Sequence, residues 1–524
     1  MKLLSFYFLA IFMSLRCIHG LKILCAFSLF GKSNSLLGHA MVKHLSQAGH
    51  EVTYITPRPP KVPLKDVHIV DISLIRERYI SNEIVNLTGI LDRPKQVDNL
   101  IPLFTKLIDL TQEAIENPNV QRLLTDNSQN FDIVIAEWLF NEVNAGFSAI
   151  YKCPLIWFSA ITPHWMILQL VDEAPDPAVY NVNFASQNIQ PFTFLERIIE
   201  LGQLIWGRFV QKIYLSSVES ETYEKLFAHF ARNRGQILPS LEELRYNASL
   251  VLSNSHISLG SSERLPQNFI PIAGFHIDSN IEPLPKTLQT IMDNAQHGVI
   301  YFSMGSNLES KNMPEILKQD LLKLFGKLKQ TVIWKFEEEL PNKPDNVHLL
   351  KWAPQHSILA HKNCIIFITH GGLLSTTEAL HFGVPLIGIP GRADQFPNIN
   401  RAVSKGFAIK ADLSYTLAAD LEIALQEMLN NPRYRTKAKE LSMIYHDRPV
   451  PAAVELVHWV EHVAKTGGAL HLRSPALMLS WYQKYYLDLG LLIVAILYCL
   501  KWVAKAVIKL AVNSYRNGNK KKNQ

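Results

Sequence analysis

Cysteine is scarce in this chain, with five in 524 residues. No two form a C-x-x-C pair, so a zinc ribbon and a thiol redox motif are excluded. Cys17 falls in an N-terminal leader and Cys499 in a C-terminal apolar run, which leaves Cys25, Cys153 and Cys364. Three thiols support one disulfide at most, and buried free thiols are the expectation. Charged residues are also few, at 19% against 48% hydrophobic, which excludes a disordered chain. The formal net charge is +6, but seven Lys/Arg and no acid follow Asp488. The first 488 residues hold 45 bases against 46 acids, so a basic body that grips nucleic acid is excluded. G-x-G-x-x-G, H-E-x-x-H and G-x-S-x-G are missing too, which removes nicotinamide, zinc-protease and serine-hydrolase readings. Gly31-Lys32-Ser33 has the ending of a P-loop, yet Ala26 stands where that loop's first glycine belongs.

What the chain does have begins at its ends. Met1 to Gly20 carries Lys2, an apolar run from Leu3 to Met13 and a small-residue finish, the build of a secretory signal. Leu489 to Leu500 is free of charge, and Lys501, Lys505 and Lys509 then recur every fourth residue. That spacing suits an amphipathic surface helix, but a spanning helix is the expectation. Lysines near one end can snorkel to the headgroups, and the positive flank belongs on the cytoplasmic side. Lys521 and Lys522 stand fourth and third from the C-terminus, like the dilysine signal for retrieval to the endoplasmic reticulum. The sequons at Asn86 and Asn247 would then lie in the lumen, open to glycosylation.

Between the ends, one rhythm occurs twice. An apolar run Leu21–Phe27 leads through a polar turn into a helical pattern over Leu36–Ala48 and a strand at Glu51–Thr56. Phe131–Ala136 and Pro154–Ser159 read as buried parallel strands, and a long helical region fills roughly Phe192–Arg234. The rhythm restarts at Gly298–Ser303, with further strands at Thr331–Lys335, Val347–Leu350, Cys364–Ile368 and Pro385–Ile389. The expectation is an α/β chain of two doubly wound, Rossmann-like domains facing a cleft, with ligands at the carboxyl ends of the strands.

The chemistry is concentrated in Trp352-Ala353-Pro354-Gln355, Thr369-His370-Gly371-Gly372, Ser375-Thr376-Thr377-Glu378 and Asp394-Gln395. A strand stopping at His370, two glycines and a helix start make an anion site that fits a diphosphate. Glu378, one turn on, could take two vicinal ribose hydroxyls. Trp352 offers a face for a base, and Asp394 with Gln395 suits sugar hydroxyls. Taken singly each has a plainer account: Ser375-x-x-Glu378 reads as a capping box, Trp352 as core, His370 as a strand-end histidine. In this order and spacing they carry more.

Together they match the signature of the nucleotide-diphosphate-sugar glycosyltransferases, and the chain resembles the animal UDP-glycosyltransferase (UDP-glucuronosyltransferase) family. Gly305-Ser306-Asn307, Asp447-Arg448-Pro449, Trp459-Val460-Glu461, His471-Leu472-Arg473 and Trp481-Tyr482-Gln483 extend the likeness. Gly31-Lys32-Ser33 and Gly49-His50-Glu51-Val52-Thr53 look most like insect members. The resemblance implies a GT-B fold, a UDP-sugar co-substrate (UDP-glucose or UDP-glucuronic acid), no separate cofactor and no metal. It also implies a small lipophilic acceptor, a single-pass type I anchor in the endoplasmic reticulum membrane with lumenal domains, and self-association or association with relatives. Ser306, Trp352, Gln355, His370, Gly371, Gly372, Ser375 and Glu378 would bind UDP, and Asp394 and Gln395 the sugar. The expected order is signal 1–20, acceptor domain 21–277, linker 278–290, donor domain 291–445, closing helices 446–484, membrane helix 485–508 and tail 509–524.

One position departs. Active members carry a histidine after Gly-Lys-Ser that takes the acceptor's proton, and here the residue is Asn34, sixteen before His50. An amide is no base near neutral pH. The family's second catalytic group, an acid, falls at Glu137, which becomes a candidate base with Asn34 positioning the acceptor. His39 is a weaker candidate, since at about 100° per residue it lies some 140° around the helix from Asn34. A tertiary amine acceptor would need no strong base at all.

Overall fold

The computed structural model describes residues 20–83, 91, 100–172, 178, 181–183, 186, 188, 190–260, 264–306 and 310–522. The leader over 1–19, the Asn86 sequon, Asn307 and the last two residues lie outside the described residues. Two compact units result, 1–472 and 473–524.

The first unit holds two parallel sheets. One contains β1 (Lys22–Ala26), β2 (Glu51–Thr56), β3 (Val67–Asp71), β4 (Ile133–Glu137), β5 (Leu155–Ser159), β6 (Leu250–Ser253) and β7 (Phe269–Pro271). The other contains β8 (Val299–Ser303), β9 (Thr331–Lys335), β10 (Val347–Leu350), β11 (Cys364–Thr369), β12 (Leu386–Gly388) and β13 (Ala408–Lys410). Their orders are β3-β2-β1-β4-β5-β6-β7 and β10-β9-β8-β11-β12-β13. Both are doubly wound, as the repeated strand–helix rhythm implies, and the strand order reverses beside β1 in one sheet and beside β8 in the other.

The central strands read as unbroken apolar runs because both of their faces are covered. In β1, Leu24 and Ala26 enter one core while Ile23 and Cys25 enter the opposite one. In β8, Ile300 and Phe302 face one core and Val299 and Tyr301 the other. The sequence pattern does not mark β3, β6, β7 or β13. β7 and β13 have three residues each, β6 has four, and β3 is a half-exposed edge, so none presents a long buried run.

The helix Ala452–Lys465 follows the second sheet in sequence but packs on the first. Leu456, Val460 and Val463 share a core with Ile23, Cys25 and Phe27, and His50 meets Glu461 at 3.4 Å. Arg448 donates to the Ala273 carbonyl at 3.2 Å and to Glu455 at 2.8 Å. Cys25 and Cys364 are buried free thiols and Cys153 is half-buried and free. The second unit holds a 3-10 turn at Pro475–Met478, a one-turn helix at Trp481–Lys484 and the helix Leu487–Lys522. Its segment Leu487–Asn517 is long and apolar enough to cross a membrane.

Candidate active site

Strand order alone brings the first pair of residues together. β1 lies beside β4, with Ala26 opposite Ala136, so the loop leaving β1 passes over Glu137, the last residue of β4. That loop enters the helix Lys32–Gln47 through Gly31 as N-cap, with Asn34 in the first turn. Asn34 Nδ2 donates to Glu137 Oε1 at 2.8 Å, and the Leu29 amide donates to Oε2 at 3.1 Å. Glu137 is fully buried. Burial pushes its carboxyl up to about 7, against the hydrogen bonds from Asn34, Leu29 and Ser28. His39 lies off this pair: its Nε2 sits 2.7 Å from the Arg58 carbonyl and its ring meets the edge of Tyr54.

The second sheet repeats the device. β8 lies beside β11, and the loops leaving them carry Gly305-Ser306 and His370-Gly371-Gly372. Gly305 and Gly371 adopt φ of +80° and +82°, conformations that favour glycine. A Cβ at either Gly305 or Gly372 would run into the His370 ring, so backbone packs on both sides of the imidazole. Burial and the nearby Lys335 charge lower His370 to about 4, leaving a neutral ring at pH 7. The helix Leu373–Phe382 starts at Gly372 with no side-chain cap, and its first amides are open to an anion. The capping-box reading is therefore corrected. Ser375 is the third residue of the helix, and its hydroxyl accepts from Gln355 Nε2 at 3.1 Å.

Gln355 ties the site further. It donates to Glu378 Oε2 and accepts from the Tyr301 hydroxyl at 3.1 Å. Glu378 Oε1 also meets His276 Nε2 at 3.3 Å and His356 Nε2 at 3.1 Å. Burial pushes the Glu378 carboxyl up, but the two histidines override it and hold it at about 2. Trp352 is 65% exposed, so it is a surface platform rather than core, with Lys32 Nζ 5.4 Å from its ring centroid. Asp394 Oδ2 accepts from Asn398 at 2.9 Å, and burial raises its carboxyl. Gln395 Oε1 is used by the Gly391 and Arg392 amides at 2.9 and 3.1 Å, which leaves its NH2 to donate.

Comparison with known proteins shows the family. The model of the family described as "UDP-glucoronosyl and UDP-glucosyl transferase" matches residues 33–524. The chain belongs to this family. It is 31% identical to UDP-glucosyltransferase 2 of Dactylopius coccus over 514 residues, 96% of each chain. It is 28% identical to UDP-glucuronosyltransferase 2B1 of Rattus norvegicus over 417 residues, 79% of this chain and 76% of that one. Among solved structures, the calicheamicin glycosyltransferase CalG4 superposes with a TM-score of 0.55 at 16% identity, covering 86% of this chain and all of that one. That likeness carries the fold alone, which is GT-B.

Within this UDP-glycosyltransferase frame, four residues about the site escaped the sequence reading. His276 comes from the loop after β7, a three-residue strand, and nothing nearby marks it. His356 is next to Gln355 and could have been found by asking what one more residue of the helix Gln355–Ala360 faces. Lys335 donates to the Gly305 carbonyl at 2.9 Å and to Glu337 at 2.8 Å. Arg401, in the helix Gln395–Ser404, donates to Asn398 of the same helix at 3.2 Å and to Thr162 in the loop after β5 at 3.3 Å, which ties that helix to the first sheet's side. Ligand atoms of His276, His356 and Glu378 lie within 4.8 Å of one another, a donor set a divalent metal could use. Here both imidazoles meet the same carboxylate oxygen.

Proposed function

We propose that this chain transfers a hexose, glucose in preference to glucuronic acid, from UDP-sugar to a small lipophilic acceptor, with inversion at the anomeric carbon. Glucose is favoured by the insect-like Gly31-Lys32-Ser33 segment and by the relative named as a UDP-glucosyltransferase. The diphosphate lies on the amides after Gly371 and Gly372, with His370 and Ser306 beside it. The ionised Glu378 takes the ribose hydroxyls, Gln355 and Ser375 hold that carboxylate in place, and uracil stacks on Trp352. Asp394 accepts from a sugar hydroxyl while the Gln395 amide donates to another. UDP needs no metal or separate cofactor in this scheme.

The observation that carries the acceptor chemistry is the Asn34–Glu137 contact at 2.8 Å. Glu137 is sealed behind the Asn34 amide, whose Oδ1 can receive an acceptor's hydrogen bond but not its proton. With its pKa near 7, Glu137 can serve as a base only where Asn34 gives way to the acceptor. Hydroxyl acceptors are therefore slow, since general-base catalysis is worth about 10²–10⁴ in rate. A tertiary amine attacks the anomeric carbon through its lone pair, UDP leaves, and no proton moves.

The same observation favours a second reading, a family member that holds UDP-sugar but turns over slowly and acts by associating with active relatives. In either case the chain is placed in the endoplasmic reticulum membrane, with both sheets lumenal, and the exposed Asn247 is a glycan site.

The test uses microsomes bearing the full chain beside an Asn34→His variant, with UDP release followed from UDP-glucose and UDP-glucuronic acid. One phenol and one tertiary amine serve as acceptors. The transferase reading expects conjugation of the amine by the wild type and gain of the phenol by Asn34→His. Binding of UDP-sugar with no transfer to either acceptor sinks it in favour of the second reading.

A further inference from the structure

Two imidazoles from different elements converge on one oxygen of Glu378. His276 stands in the loop after β7, His356 in the helix Gln355–Ala360 and Glu378 in the helix Leu373–Phe382. His276 Nε2 lies 3.3 Å from Glu378 Oε1, and His356 Nε2 lies 3.1 Å from the same oxygen. All three atoms fall within 4.8 Å of one another. Zinc bonds of about 2.0–2.1 Å to nitrogen and oxygen set neighbouring tetrahedral ligands roughly 3.3–3.4 Å apart. Two edges of such a coordination face are therefore already close to that length.

A ribose diol calls for the carboxylate alone, not for two imidazoles on one of its oxygens. The other oxygen, Oε2, already accepts from Gln355 Nε2, so the carboxylate is oriented from behind, as metal-ligating carboxylates are. His276 and Glu378 are buried, while the side chain of His356 is 27% exposed, which gives an ion a way in. Two imidazole nitrogens and one carboxylate oxygen suit zinc, and the set is too poor in oxygen for calcium or magnesium. Three protein ligands also leave a fourth position for water.

We propose that His276, His356 and Glu378 bind one zinc ion through Nε2, Nε2 and Oε1, with water in the fourth place. The ion takes the oxygen that the ribose hydroxyls use, so zinc and UDP-sugar exclude one another. It also ties the loop after β7 to the two helices that carry Gln355 and Glu378. Zinc is thus an inhibitor, separate from the transfer chemistry, which uses no metal. The site stands on the three side chains; its effect on the donor rests on the reading of Glu378 as the ribose carboxylate.

The full chain, solubilised in detergent and purified without a histidine tag, is titrated with zinc by equilibrium dialysis. His462→Gln is carried throughout, because His462 Nε2 and His471 Nε2 lie 3.1 Å apart on the surface and form a second place for zinc. Free zinc is set by a metal buffer, so chelation by the diphosphate of UDP leaves it unchanged. One zinc per chain is expected, bound at least tenfold more weakly in His356→Gln. With His356 present, the apparent Kd for UDP rises in proportion to zinc, as mutual exclusion requires. In His356→Gln the Kd for UDP, whatever its metal-free value, does not respond to the same zinc. His276→Gln gives the same loss of zinc affinity and serves where His356→Gln does not fold. No bound zinc, or zinc kept at full affinity by either variant, overturns the site. Zinc and UDP bound together without mutual effect overturns it too, since an ion on Oε1 must be felt at the ribose. Zinc bound through His356 by a chain that binds no UDP when metal-free keeps the site and sinks the donor reading instead.

Discussion

His276 Nε2 lies 3.3 Å from Glu378 Oε1, although 102 residues separate them and one sits in the loop after β7 of the first sheet, the other in the helix after β11 of the second. The contact links the carboxylate assigned to the ribose hydroxyls with the half of the molecule that holds Asn34 and Glu137. His276→Ala removes one of the groups holding Glu378 near 2 and leaves a buried carboxylate short of a partner. The expected result is a weaker affinity for UDP-glucose and a loss of about 1–3 kcal/mol in stability. Titration calorimetry with UDP and thermal unfolding of the detergent-solubilised chain would read the two effects. Unchanged UDP affinity would dissociate His276 from the donor site.

Trp352 sets a second expectation. Stacking of a base on an aromatic ring is worth about 1–3 kcal/mol, so Trp352→Ala should raise the KM for UDP-glucose roughly tenfold or more. The kcat should change little, because the base keeps the same stack from ground state to transition state, and Trp352→Phe should fall between. A fall in kcat at constant KM contradicts the stacking role.

Glu137 gives a dependence on pH. Its folded pKa of about 7 lies above the ordinary 4.5, so the folded chain binds the extra proton between those values. Its contribution to stability is present below about 4.5 and is lost as pH rises through 7, by about 3 kcal/mol. Glu137→Gln should flatten this segment of the curve of melting temperature against pH between pH 5 and 8. A slope as steep as in the wild type means that the carboxyl titrates elsewhere.

Arg245 carries the largest structural stake. It is buried, with Glu142 at 3.1 Å, Glu219 at 2.6 Å and Ser216 at 2.9 Å, and Trp138 donates to Glu142 at 3.2 Å. Burial and the Glu142 charge raise the Glu219 carboxyl. Arg245→Leu leaves two buried acids together and should cost about 3–5 kcal/mol. The triple variant Arg245→Leu/Glu142→Gln/Glu219→Gln should lose less than the single one. Thermal unfolding decides, and a triple variant worse than the single would reverse the argument.

Local pattern was legible wherever a segment's environment is uniform. β1, β4, β5 and β8 are buried on both faces and read directly as apolar runs. The Thr369–Glu378 stretch showed its strand, glycines and helix start because backbone geometry constrains each residue type there. Three-residue strands such as β7 and β13 left no comparable trace, and with β7 went His276. The capping-box pattern at Ser375 and Glu378 is the same string whether Ser375 begins the helix or sits inside it; only the start at Gly372 chose.

The sequence by itself determined the family, the two-sheet architecture and the strand–glycine–helix run at Thr369–Glu378, because periodicity and glycine position act over a few neighbouring residues. Tertiary structure alone decided what stands opposite what. Asn34 meets Glu137 because β1 and β4 are neighbours in strand order, a contact set by chain crossing rather than spacing. His39 was committed to the Arg58 carbonyl by a loop 19 residues away. The helical pattern over Phe192–Arg234 did not say which face would turn inward; in the structure Glu200 is buried and accepts from the Val182 amide, Ser186 and Asn188. The partners of Glu200 made that choice, since a buried carboxylate must keep its hydrogen bonds.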